Sequence, residues 1–70
     1  MSEWSATKAR KVLAALEKIV WQVKRQTGSH KILEREGWDN YVFTFRDRDE
    51  IGSKMLARIV KKTGLKASDL

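Results

Sequence analysis

Trp21-Gln22-Val23-Lys24-Arg25-Gln26-Thr27-Gly28-Ser29-His30 is the stretch whose reading decides the fold. Trp21 and Val23 alternate with Gln22 and Lys24, the period of a strand, and the run stops at Thr27-Gly28-Ser29, a turn signal. The pattern predicts that His30 to Glu36 continues as a second strand, closed by Gly37-Trp38-Asp39-Asn40. Tyr41-Val42-Phe43-Thr44-Phe45 is aromatic and β-branched, as a third strand requires. Short connections of this kind join antiparallel neighbours, so a meander is expected. Strand parity places His30 with Ile32 and Lys31 with Leu33, giving each face one polar and one aliphatic residue. The reading favours Leu33 inward and His30 outward.

Helical periodicity flanks the strands on both sides. From Ala6 to about Lys18, the residues Ala9, Val12, Leu13 and Leu16 form one stripe, with Lys8, Lys11 and Lys18 opposite. Ser5 is the expected N-cap. Met55, Leu56, Ile59 and Val60 form a second stripe, while Lys54, Arg58, Lys61 and Lys62 lie largely on another face. Gly52 is the expected N-cap there, with Ile51 stapling onto Leu56. Gly64 has the setting of a left-handed C-cap, and Lys61 and Lys62 suit the negative end of the helix dipole. Both apolar stripes need one common surface to bury. The expected class is therefore α+β, in the order α-β-β-β-α, with two helices on one face of a three-stranded antiparallel sheet and the other face free. There is no proline, low-complexity segment or repeat to mark a linker, and residues 1–70 read as a single domain.

Composition narrows the chemistry. A chain of 70 residues buries only about 60% of its unfolded surface, which disfavours a large enclosed cavity. Without cysteine, and with one histidine, there is neither a thiolate nor a multi-imidazole zinc site; no metal or cofactor is expected. No apolar run approaches the roughly 20 residues of a membrane span, and Met1-Ser2-Glu3-Trp4 lacks the layout of a signal peptide. A soluble, cytoplasmic protein without a membrane partner is the expectation. The net charge of +6 produces a field that attracts phosphate backbones or acidic proteins, although basic faces also serve solubility alone.

Arg25-Gln26, Gly28-Ser29-His30 and Gly64-Leu65, placed between the right helix and strands, resemble the HicA family of bacterial toxins, and the resemblance runs without a gap from about Lys8 to Leu70. It implies a fold like that of double-stranded RNA-binding domains, ribosome-independent cleavage of mRNA, and a HicB antitoxin as partner. It also points to His30 as the catalytic residue. RNA carries its own nucleophile, the 2′-hydroxyl, so cleavage needs proton transfer and charge stabilisation more than a metal. Imidazole serves as acid or base near neutral pH, a contribution of roughly 10²–10⁴-fold. RNA-binding roles are expected for Lys24, Arg25, Gln26, Gly28, Ser29, Lys31 and Arg46. Gly28 admits a close phosphate, Ser29 donates to its oxygens, and Lys24, Arg25 and Lys31 neutralise the strand.

Each of these residues has a plainer reading. A lone histidine at a strand start is usually a half-exposed polar residue, and Gly28-Ser29 is explained by a hairpin turn alone. Trp21, Tyr41, Phe43 and Phe45 suit the core better than base stacking, and Trp38, in a turn, is the aromatic expected to be exposed. One departure stands out: members of the family often carry a second histidine where this chain has Arg46. Arginine stays protonated and cannot act as a base, but it binds phosphate bidentately. The alternatives to a nuclease are a non-catalytic RNA-binding domain of the same fold and a protein-interaction module for an acidic partner.

Overall fold

The computed structural model describes residues 6–70. The chain runs β1 (Thr7–Lys8), α1 (Ala9–Lys18), β2 (Gln22–Thr27), β3 (His30–Glu34), β4 (Tyr41–Phe43), β5 (Glu50–Ile51) and α2 (Ser53–Thr63), then a 3₁₀ turn, Ala67–Asp69. β2, β3 and β4 form the expected antiparallel meander in that spatial order, and β1 pairs with β5 in a separate two-stranded ribbon. The fold is the α+β, α-β-β-β-α arrangement that the periodicities require, with that ribbon added.

One core holds the layers together. Ala9, Val12, Ala15 and Leu16 of α1, Leu33 and Phe43 of the sheet, and Leu56 and Ile59 of α2 are buried in a single cluster with Trp21, Ile51 and Leu65. Each large aliphatic or aromatic side chain removed from water here contributes about 1.5–3 kcal/mol. Leu33 is fully buried while His30 is exposed, so the second strand has the orientation favoured from sequence. Trp21 donates its indole N–H to the Thr63 carbonyl at 3.0 Å, inside the core. That bond joins the start of the meander to the end of α2.

Element ends differ from the sequence expectation where tertiary contacts compete. Ser5 lies outside the described residues, and α1 begins at Ala9, with Lys8 in the N-cap position and no side-chain cap. Thr7 and Lys8 instead pair with Ile51 and Glu50. The first helical N–H groups find partners in a distant turn: Ala9 donates to the Asp49 carbonyl at 2.7 Å and Arg10 to that of Asp47 at 3.1 Å. Those carbonyls satisfy two of the amides that a helix start leaves without intrahelical partners. β3 ends at Glu34 and β4 at Phe43, each two residues short of the alternating run. At α2 the expectations hold: Gly52 is the N-cap, and Gly64, with φ 74°, is the left-handed C-cap. Ile51 and Leu56 are both buried, as a staple requires.

Candidate functional site

The site is built on the β2–β3 hairpin. Thr27 pairs with His30, leaving Gly28 and Ser29 as a two-residue connection. Gly28 has φ 60° and Ser29 is not in the positive-φ region, the arrangement of a type II′ turn, which places glycine first. A Cβ at Gly28 would meet nothing within 4 Å; the backbone angle is what calls for glycine. Gln26 donates from Nε2 to the Gly28 carbonyl at 3.2 Å and stiffens the turn. His30 follows immediately.

Two surfaces meet at this hairpin. On the outer face, Thr27 lies opposite His30, Arg25 opposite Ile32, and Ile32 opposite Val42. A register shift between Val23 and Arg25 leaves Lys24 at an irregularity. The extra residue turns Arg25 toward the His30 face while Val23 stays on that of Leu33. On the helix side, Lys31 lies opposite Phe43 and is buried along most of its length. It lines a shallow concavity of about 460 Å³ with Gly28, Ser29, Arg46, Asp47 and Arg48. A lysine in such a place covers apolar surface with its stem and presents its ammonium at the rim.

The arginines are held by a locked turn. Asp49 accepts from the Arg46 amide through Oδ2 at 2.8 Å and donates its own amide to the Arg46 carbonyl at 2.9 Å. Lys8 Nζ donates to the Arg48 carbonyl at 3.3 Å. With the two carbonyls that cap α1, this fixes residues 46–49 at both ends. The concavity thus gathers three cations, Lys31, Arg46 and Arg48, against one carboxylate, Asp47, a balance that suits a phosphate. Arg48 was not among the residues expected from sequence. Its signal was the alternation Arg46-Asp47-Arg48-Asp49, which is turn-like but gives no direction to any side chain.

Of the sequence-derived candidates, Gly28, Ser29, Lys31 and Arg46 therefore share one concavity. His30 and Arg25 share the outer face, Lys24 sits at the irregularity, and Gln26 braces the turn. The strand aromatics belong to the core: Trp21 and Phe43 are buried, and Phe45 packs edge-on against Phe43 at 5.4 Å. Tyr41 is half-buried, and burial raises its hydroxyl pKa above the usual 10.0. Among the described residues Trp38 is the aromatic left exposed, at 41%.

Among the described residues no group of three or more His, Cys, Asp or Glu side chains is placed to hold a metal ion, and no helix is long and apolar enough to cross a membrane. No curated protein matches the chain, and no solved structure does. The family model described as HicA toxin of bacterial toxin-antitoxin matches residues 9–65, from the first residue of α1 to the residue after its C-terminal glycine cap on α2. With that match covering most of its length, the chain belongs to the HicA toxin family.

Proposed function

We propose that this toxin is a metal-independent endoribonuclease that cleaves mRNA in the cytoplasm, with His30 moving the proton. The observation that carries the reading is His30 itself, exposed and one residue beyond a stiff turn whose other side opens on the Lys31, Arg46 and Arg48 concavity. The imidazole accepts the proton of the 2′-hydroxyl as that oxygen attacks the adjacent phosphorus, and the bond to the 5′-oxygen breaks. The same proton then serves the departing oxygen. Lys31 and Arg46 stabilise charge growing on the phosphoryl oxygens, a role arginine fills as a bidentate donor. Lys24 and Arg25 neutralise flanking phosphates.

A toxin must be held silent in the cell that makes it, so the proposed protein partner is a HicB-type antitoxin that covers the His30 surface. The opposite charge that the +6 chain invites would speed that association. The deciding test is incubation of purified protein with a structureless RNA. His30→Ala should lower turnover by about two orders of magnitude with RNA affinity nearly kept, and a chelator should change neither. Cleavage undiminished in His30→Ala removes the catalytic assignment. Binding without cleavage in the parent chain favours the non-catalytic RNA-binding domain, for which Arg46 in place of a second histidine is the specific observation.

A further inference from the structure

We infer a second RNA contact, a base-stacking subsite on Trp38 with Lys61 and Lys62 as its phosphate partners, at the end of the sheet away from His30. The inference rests on the RNA reading above and assigns a surface that reading does not use. Trp38 sits in the β3–β4 connection and lines a concavity of about 470 Å³ with Asp39, Asn40, Tyr41, Lys61 and Lys62. Both lysines are exposed and occupy the last turn of α2. Their two charges exceed the single carboxylate of Asp39, so the concavity favours an anion.

The indole is held in place before any ligand arrives. Its ring meets Trp21 edge-on at 6.0 Å, and the Arg35 guanidinium carbon lies 5.2 Å from its centroid. A Cβ built at Gly64 would come within 2.8 Å of Trp38 Cη2, so glycine at the α2 cap lets the ring seat directly on the backbone. A tryptophan fixed on these sides and still 41% exposed is a rigid platform that loses little entropy on binding. Stacking on such a platform is worth about 5- to 150-fold in affinity per base and tolerates any base. β3 is five residues long, so at ~3.3 Å per residue its two ends stand roughly 15 Å apart. A single strand engaged at both is longer than one nucleotide, and the Trp38 end would hold it while His30 acts at the other.

The test is titration of the isotope-labelled full chain with an unstructured oligonucleotide of about ten residues, 2′-O-methylated so that it has no attacking hydroxyl. The Trp38 indole N–H and the Lys61 and Lys62 amides should shift saturably. Trp38→Ala should weaken binding about 5- to 150-fold, with Trp38→Phe keeping most of it. Lys61→Gln with Lys62→Gln, both exposed, should lower the log–log salt slope by about 1.4, at 0.7 per phosphate contact. These lysine variants and the indole resonance decide the matter even where Trp38→Ala fails to fold. Binding that leaves the indole unmoved and the lysine variants equal to the parent overturns the subsite while RNA binding stands. No binding by the parent chain removes both. An indole that shifts with poly-glutamate and not with the oligonucleotide overturns the subsite in favour of an acidic protein partner.

Discussion

Val20 should be more stable as glycine than as alanine, the reverse of the usual order. The end of α1 is a Schellman motif: Trp21 donates its amide to the Leu16 carbonyl and Val20 to that of Glu17, each at 3.1 Å. The residue between helix and strand in that motif is left-handed, and here it is Val20, at φ 67°. A left-handed L-residue costs about 1–2 kcal/mol, and a β-branched one is a genuine outlier. Val20→Gly and Val20→Ala both delete the two γ-methyl groups of a side chain already 63% exposed, and glycine loses only the Cβ besides, so the two differ little in lost burial. Glycine gains the 1–2 kcal/mol but gives back about 0.5–1 in unfolded-chain entropy. The glycine variant should therefore exceed the alanine variant by about 0.5–1 kcal/mol. That is a melting temperature roughly 2–8 °C higher in a domain of this size. Urea unfolding followed by tryptophan emission, with a thermal scan beside it, measures both. Alanine equal to or above glycine would refute the left-handed assignment and the motif with it.

Gly64→Ala should destabilise by at least about 1–2 kcal/mol, since φ 74° is retained only at a penalty and the new Cβ displaces Trp38; an unchanged melting temperature would dismiss that close approach. Arg46→Ala should weaken RNA binding and lower the salt slope by about 0.7 with the melting temperature kept, because its part in the locked turn is made by the backbone. An unaltered slope would place the phosphate elsewhere. Tyr41 is a neutral phenol whose pKa burial raises above 10.0. Its share of stability is whole below pH 10.0 and is lost as pH rises toward the folded value, while the unfolded chain ionises first. Tyr41→Phe should flatten the fall of stability in that alkaline window, and identical pH curves would contradict it.

The meander was readable because its signals are local. Gly28-Ser29 fixes a two-residue turn, but the face of His30 does not follow from the pattern: Ile32 and Leu33 are each the one large aliphatic residue of their parity in β3, and only the packing of the sheet on the helices selects Leu33 for the core. Gly52 and Gly64 mark α2 for the same reason: a cap is settled within one turn of helix. What the pattern does not contain is the β1–β5 ribbon. Thr7 and Lys8 carry no alternation, and their partners stand more than forty positions away. The helix start moved with them, since the Asp47 and Asp49 carbonyls that receive its first amides lie in no local window. Lys24 is a third case: strict alternation carries through Val23-Lys24-Arg25, and the register shift is visible only against β3. Of the candidate site, the Gly28–Ser29 turn was legible, whereas the meeting of Lys31 with Arg46 and Arg48 depends on where the 46–49 turn is anchored.

That anchoring links stability to the proposed chemistry. The turn that presents Arg46 and Arg48 also supplies the carbonyls that cap α1, so the backbone that carries the two arginines is tied to the core through the helix. Rigidity matters more here than in a site with two imidazoles. In the proposed mechanism His30 is the single proton carrier, so acid and base roles would fall to one group in sequence and the phosphate would have to stay in place between them. Charge held still at the phosphoryl oxygens is worth more than mobile charge, because no reorganisation is needed as the transition state forms. The hairpin separates His30 on the outer face from Lys31 on the helix side by one position along β3. A phosphate bridging them has to lie over the Gly28–Ser29 turn, where a Cβ at Gly28 would find open space. The glycine demanded by the turn angle thus also leaves room at the point the strand must cross, which makes the hairpin tip, more than the open sheet face, the place where cleavage would occur.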